Sequence, residues 1–256
     1  STDHGKVTVL EEVVKMTLKL AENHWTKVYH HAETMWKTTS GQLFLSKLNN
    51  LFDKREANGN PILIDLLSHS AGSVPISFLI SNLTRNNIIN NIIQIVPAVR
   101  VKLFLDTIYQ NQQIFKSFKM YLLDEKSEVD DTFLKVYKSS LLYFVAGVAE
   151  KDDEFSDMTI LGMHRYFKDK KPYKNYNDDN SKYGNILKCK QFFIEDVSLQ
   201  RMVFVSKKKT IQDNFGMKLI TSKEGATHGG TKIPSKSPEL AKDIVIQLTE
   251  SKGELT

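Results

Sequence analysis

The nineteen residues ILIDLLSHSAGSVPISFLI, at positions 62–80, restrict the fold of this chain more than any other segment. Residues 61–67 form a short apolar run with the length and composition of a buried parallel strand. Residues 68–72 interrupt that run with small and polar side chains, and apolar residues return at helical spacing over residues 74–83. A buried strand that turns directly into a helix is the building unit of parallel sheets, so this segment predicts an α/β fold.

Short apolar runs alternate with helical patterns along the rest of the chain. We predict further strands at 27–31, 90–99, 141–149, 191–197, 202–205 and 217–221, and helices at 9–23, 41–52, 101–122 and 238–248. The strands at 191–197 and 202–205 are a candidate hairpin. Ser237 is a good N-cap for the last helix, and Pro238 fits its first turn. The alternation predicts a mostly parallel central sheet flanked by helices.

No linker or internal repeat divides the 256 residues, so we predict a single domain over residues 1–256. The stretch 166–183 is polar, basic and rich in Asn, Asp and Tyr. We expect a surface loop there. The alternative is a lid or insertion, at about 166–210, that covers the functional site.

The composition restricts the partners and the location of the protein. Hydrophobic residues make up 41% of the chain and charged residues 25%, with a formal net charge of +5, so a globular core is expected. The lysines are scattered and no nucleic-acid-binding motif occurs, so we predict no nucleic-acid partner. No run of about 18 apolar residues occurs, so we predict no transmembrane segment. A soluble protein is expected, cytoplasmic by default, and secretion after removal of a leader stays open.

The chain offers little for metal, disulfide or cofactor chemistry. The single cysteine, Cys189, cannot form an internal disulfide, and we expect it to be a bystander. The pair His30-His31 has no third metal ligand at a familiar spacing. We therefore predict no metal site and no cofactor.

The pentapeptide Ser68-His69-Ser70-Ala71-Gly72 resembles the nucleophile elbow, G-x-S-x-G, of the α/β-hydrolase family. The elbow is a tight, strained turn, so the residues two before and two after the serine have to be small. Gly72 matches the pattern, and Ser68 stands in place of the first glycine. The resemblance implies that Ser70 is a nucleophile and that the Ala71 backbone N–H stabilises an oxyanion. The alternative is a plain strand–turn–helix with polar turn residues.

The family places its acid and its histidine after the nucleophile, in that order. The predicted strand 141–149 runs into an acidic stretch, where Asp152 and Asp153 are the leading candidates for the acid and Asp157 is a third. His228 lies in a glycine-rich loop between the last predicted strand and the closing helix. The resemblance implies that His228 is the base and that one of the aspartates orients it.

The family also has an early His-Gly pair that supplies a second oxyanion donor. His4-Gly5 occurs here at the start of the chain, and the resemblance implies the Lys6 backbone N–H as that donor. The strand expected before this pair is missing, so either the chain is cut from a longer one and its sheet lacks its first strands, or the His-Gly match is a coincidence. The resemblance covers most of the chain from about Trp36 onward.

The resemblance implies a serine hydrolase that acts on carboxylic esters through a Ser-His-Asp triad and an acyl-enzyme, with a small ester or acyl compound as substrate. The same elbow also serves thioesterases, peptidases and acyltransferases. A catalytically silent binding or scaffold protein with this fold is the main alternative. No oligomeric state is predicted.

Overall fold

The structure is a computed structural model that describes residues 22–131, 140–146, 159–167, 182–211 and 215–250. Its helices in these ranges are α1 (22–34), α2 (Thr39–Ala57), α3 (Ser73–Asn82), α4 (Val101–Thr107), α5 (Glu125–Asp130), α6 (Leu141–Phe144), α7 (Lys182–Ile194) and α8 (Pro238–Glu250). Its strands are β1 (Ile64–His69), β2 (Ile89–Ile95), β3 (Phe115–Leu123), β4 (Met202–Ser206) and β5 (Lys218–Thr221).

The five strands form one sheet in the order β1-β2-β3-β4-β5, and every neighbouring pair is parallel. All five strands therefore end at the same edge of the sheet, which is where ligands bind in parallel α/β folds. β1 and β5 are the two outer strands of this sheet. The predicted class, an α/β fold with a parallel sheet flanked by helices, is confirmed.

The strand order determines where the helices lie. Each connection moves one strand further in the same direction, and crossovers between parallel strands are nearly always right-handed. The crossover helices α3, α4 and α7 should therefore cover one face of the sheet, and their apolar residues do belong to one hydrophobic cluster. α8 follows the last strand, and its Leu240 belongs to the cluster on the opposite face.

β2 is buried along its whole length, because it lies between two strands and between two helical layers. Ile92 belongs to the cluster on the α3 side, and Ile93 belongs to the cluster on the α8 side. Burying each such side chain contributes about 1.5–3 kcal/mol. The uninterrupted apolar run of this strand is therefore a direct consequence of its central position.

The predicted helix at 101–122 is wrong in its second half. α4 ends at Thr107, a 3-10 segment covers Tyr109–Ile114, and residues Phe115–Leu123 form β3 at the centre of the sheet. Apolar residues at 101, 103, 104 and 105 fit one helical face, and the helical pattern continues by chance into the strand. A continuous apolar run cannot be assigned to helix or strand by periodicity alone.

Two more predicted strands are helical. Residues 27–31 lie within α1, where Trp25, Tyr29 and Ala32 recur at helical spacing and contact the core. Residues 141–146, the described part of the predicted strand 141–149, are also helical, and α6 occupies Leu141–Phe144. Among the described residues, no strand pairs with this apolar run.

The predicted strand at 191–197 is wrong, and so is its hairpin with 202–205. Residues up to Ile194 belong to α7, in which Ile186, Cys189 and Phe193 are buried at helical spacing. β4 instead pairs in parallel with β3 and β5. Residues 182–206 of the candidate lid or insertion therefore contribute a core helix and a sheet strand, and residues 168–181 lie outside the described residues.

The remaining predicted elements are confirmed where they are described. They correspond to α2, α3, α8, β1, β2, β4 and β5. Residues 9–21 of the first predicted helix lie outside the described residues. Within the ranges that the structure describes, no helix is both long enough and apolar enough to cross a bilayer.

Candidate active site

The turn after β1 holds Ser70 in a left-handed backbone conformation. β1 ends at His69, and Ser70–Gly72 forms a 3-10 turn that leads into α3. Ser70 has φ of 53°, a region that residues other than glycine occupy at a cost of about 1–3 kcal/mol. The Ser70 carbonyl accepts from Ala98 N at 3.1 Å and from Ser73 Oγ at 2.7 Å. These bonds hold the strained turn in place.

His228 follows the outer strand opposite β1 and contacts Ser70 across the end of the sheet. Its loop joins β5 to α8, and its Nε2 lies 2.9 Å from Ser70 Oγ, although 158 residues separate the two in sequence. Both residues are buried, with exposed fractions of 8% for Ser70 and 6% for His228. A hydroxyl and an imidazole nitrogen at this distance are placed for proton transfer.

The His228 loop is closed at its base by two serines. Ser222 Oγ accepts from Gly225 N at 3.0 Å and contacts Ser237 Oγ at 3.1 Å. A Cβ atom at Gly225 would lie 1.7 Å from Ser237 Oγ, so only glycine fits between these side chains. Ser237 therefore stabilises the loop through its hydroxyl, in addition to preceding α8.

His69 holds the loop from the elbow side. Because a carbonyl can only accept, His69 Nε2 donates to the His228 main-chain oxygen, at 2.9 Å. Thr231 Oγ1 donates to the same oxygen at 2.9 Å. The rings of His69 and His228 meet edge to face, with centroids 5.1 Å apart. These contacts give His69 a structural role, and its hydrogen-bond partner is the backbone of the candidate base.

The surroundings keep the His228 imidazole uncharged. Burial, followed by the nearby His69 and Lys232 side chains, lowers the pKa of His228 to about 3. A neutral imidazole that accepts from Ser70 through Nε2 carries its proton on Nδ1. His228 Nδ1 is buried and has no hydrogen-bond partner among the described residues. A complete triad requires an acceptor at this nitrogen.

The acid candidates named from sequence are not placed by the structure. Asp152, Asp153 and Asp157 lie outside the described residues, as does Lys6. Asp131, one residue beyond α5, is the carboxylate that contacts His228 among the described residues: its Oδ2 accepts from His228 N at 2.8 Å. Sequence analysis does not find Asp131, because it predicts a helix over residues 101–122 and so no strand end beside this aspartate. An acidic stretch directly after β3 would have been the signal.

Ala71 is the second residue of the 3-10 turn that opens α3. The first N–H groups of a helix lack acceptors within it and lie at the positive end of its dipole. This position agrees with the role implied for the Ala71 N–H. Ala71 directly follows Ser70 in the same turn, and the backbone N–H of the residue after the nucleophile is an oxyanion donor in the α/β-hydrolase elbow.

Glu128 is a second buried ionisable group near the site. It lies in α5, is 1% exposed and accepts from Ser140 Oγ. Burial above all, with a smaller effect of Asp131, raises the pKa of Glu128 to about 8. Glu128 is therefore protonated at neutral pH, and it is not a negative partner for His228.

Neither a metal centre nor a known relative helps to assign the site. Across the ranges covered by the structure, no three His, Cys, Asp or Glu side chains come together as metal ligands would. Comparisons with protein-family models, with curated proteins and with solved structures found no significant match. Any function has to be inferred from the chemistry of Ser70, His228 and their neighbours.

Proposed function

We propose that the protein is a serine hydrolase of carboxylic esters with an α/β-hydrolase architecture, in which Ser70 is the nucleophile and His228 the base. The observation that carries the proposal is the 2.9 Å contact between Ser70 Oγ and His228 Nε2. It is made by a serine held at positive φ on a strand-to-helix turn. A strained serine at the end of a parallel strand is the geometry that exposes a nucleophile in this fold.

In the proposed reaction, Ser70 Oγ attacks the ester carbonyl carbon while its proton passes to His228 Nε2. The carbonyl oxygen becomes an oxyanion, which the Ala71 N–H stabilises. The carbon–oxygen bond to the leaving group then breaks, and His228 returns the proton to the departing alcohol. Water, activated by His228, attacks the acyl-Ser70 ester and releases the acid.

The proposed triad is completed by a carboxylate at His228 Nδ1. An imidazole with a pKa of about 3 is a weak base, and a carboxylate beside it stabilises the imidazolium that forms during attack. Asp131 is the best placed described residue, because its carboxylate already contacts the His228 backbone. Asp152 and Asp153 stay as candidates from the sequence.

The test of the function is covalent labelling with a fluorophosphonate probe, together with hydrolysis of short p-nitrophenyl esters. We expect the wild-type protein to be labelled and Ser70→Ala to be unlabelled and inactive. Ser81→Ala is the matched control, because Ser81 is an exposed serine of α3 that bonds only its own helix. Equal labelling of S70A and wild type would overturn the proposal.

The second candidate is a catalytically silent protein with the same fold. The observation that favours it is the buried Nδ1 of His228, which has no partner among the described residues. This candidate predicts a folded protein that neither reacts with the probe nor hydrolyses any ester of the panel. Thioesters, amides and alcohol acceptors in the same panel separate esterase from thioesterase, peptidase and acyltransferase activity.

A further inference from the structure

Two buried polar residues, Ser68 and Gln94, lie side by side beneath the elbow. They are Cα partners in the parallel pairing of β1 with β2, so their side chains share one face of the sheet. Ser68 is 7% exposed and Gln94 is fully buried. The next pair below on the same face, two residues earlier in each strand, is Leu66 and Ile92, which pack in the apolar cluster under α3.

Neither side chain has a hydrogen-bond partner among the described residues. The atoms concerned are Ser68 Oγ and both polar atoms of the Gln94 amide. A buried amide without a partner is strongly unfavourable, and most such groups in proteins are satisfied by a neighbour or by an ordered water. No direct hydrogen bond joins the two neighbouring side chains, and a water between them would supply each with the donor and the acceptor that it lacks.

The position of this polar pair connects it to the nucleophile. Ser68 precedes Ser70 by two residues, and its Cβ lies 3.5 Å from the point that a Cβ on Gly72 would occupy. Gln94 precedes Val96, which also has a positive φ, of 41°. Beyond Val96, Ala98 N donates to the Ser70 carbonyl. The pair therefore lies directly below two strained residues at the ends of neighbouring strands.

We propose that one ordered water bridges the Ser68 hydroxyl and the Gln94 amide, and that this polar pair is a positioning device for Ser70. This bridge ties β1 to β2 at the level where both strands end. It thereby fixes the position of the elbow relative to Ala98 N, which donates to the Ser70 carbonyl. Ser68 is then more than a tolerated substitute for glycine, because its hydroxyl is the partner of Gln94. The inference rests on the proposed function of Ser70.

The test is a double-mutant cycle with near-isosteric apolar replacements, Ser68→Ala and Gln94→Met. Each single change leaves the other polar group buried without its partner, whereas the double change removes both. We expect each single variant to be labelled by the fluorophosphonate about tenfold more slowly than wild type. We expect the double variant to recover to within about threefold. The midpoints of urea unfolding should follow the same pattern.

The control cycle combines Gln94→Met with Ser77→Ala. Ser77 is a buried serine on α3 with its own acceptor, the Ser73 carbonyl, so its effect should simply add to that of Q94M. Additive effects of S68A and Q94M would overturn the pairing. Recovery of stability with unchanged labelling rates in the single variants would overturn the positioning role. If wild type is not labelled at all, the proposed function fails, and the urea cycle still decides the pairing.

Discussion

His69, the residue before the candidate nucleophile, donates from Nε2 to the main-chain oxygen of His228, the candidate base, over 2.9 Å. The turn after β1 and the loop after β5 are therefore bound to each other by a contact separate from that between Ser70 and His228. Two contacts therefore set the distance between Ser70 and His228. One joins their side chains, and the other joins the His69 side chain to the His228 backbone. A change at His69 should alter reactivity without removing either reacting group.

Replacing His69 with phenylalanine should slow fluorophosphonate labelling by about tenfold, the effect of losing one hydrogen bond to a buried carbonyl. Thr231 still donates to the same oxygen, so the loop should remain folded. The rate is measured as a second-order labelling constant. His24→Phe is the control, because His24 is exposed on α1. Equal rates for H69F and H24F would show that the contact does not position the base.

Unless a carboxylate at His228 Nδ1 raises the pKa of this imidazole, the rate of labelling should be constant from pH 8 down to about pH 5. His228 has to be uncharged to accept the serine proton, and its pKa of about 3 keeps it uncharged over this range. Lys232→Gln removes a positive charge that lowers this pKa, so the acidic fall in rate should move to higher pH. Lys236→Gln, an exposed lysine of the same loop, should leave the profile unchanged. A midpoint near 6.5 in all three proteins would contradict the prediction.

Asp131→Asn should lower the labelling rate about a hundredfold or more, as the loss of an orienting carboxylate does in a serine triad. The asparagine oxygen can still accept from His228 N, so the change removes the charge and keeps the backbone contact. Asp130→Asn is the matched control at an exposed neighbouring position. If D131N reacts as fast as D130N, the acid lies elsewhere, and Asp152→Asn and Asp153→Asn are the next variants to measure.

Raising the pH from 6.5 to 8 should destabilise the wild-type protein through Glu128. The folded state keeps this carboxyl protonated, with a pKa of about 8, whereas the unfolded chain has already lost the proton. The free energy of unfolding therefore falls with rising pH by up to about 1.4 kcal/mol per unit. His228 acts in the opposite direction: its lowered pKa costs stability only as the pH falls from 6.5 toward 3.

The check is urea unfolding of wild type and Glu128→Gln at both pH values. E128Q carries no ionisable group at this position, so its stability should change less between pH 6.5 and 8. Glu239→Gln, at an exposed position of α8, should behave like wild type. Parallel curves for wild type and E128Q would show that Glu128 ionises normally in the folded protein.

The sequence predicts those parts of the fold whose signals are local. The elbow, β2 and α8 each carry a strong pattern within about 20 residues: a strand with a turn, a continuous apolar run, and an amphipathic helix with proline at its start. β3 does not, because the helical pattern of α4 leads into it without a glycine or proline between them. Its central place in the sheet results from pairing with β2 and β4, which no local pattern records.

The same distinction applies to the site. Ser70 is signalled by its own neighbours, and His228 by the glycines around it, but their contact could be expected only from the resemblance to a family. Asp131 could not be found, because recognising it requires knowing that the strand before α5 ends at the edge of the sheet where the site lies. The roles of His69 and Gln94 depend on partners 159 residues away and on the neighbouring strand.

The order of the strands has a consequence for how the chain is made. Ser70 follows one outer strand and His228 follows the other, and with about 4.8 Å between neighbouring strands these two strands lie roughly 19 Å apart across the sheet. The loop can meet the elbow only after all five strands have assembled. A ribosome-bound chain that ends before β5 carries the serine but no base. Under the proposed function, probe labelling of Ser70 would therefore report that β5 has joined the sheet.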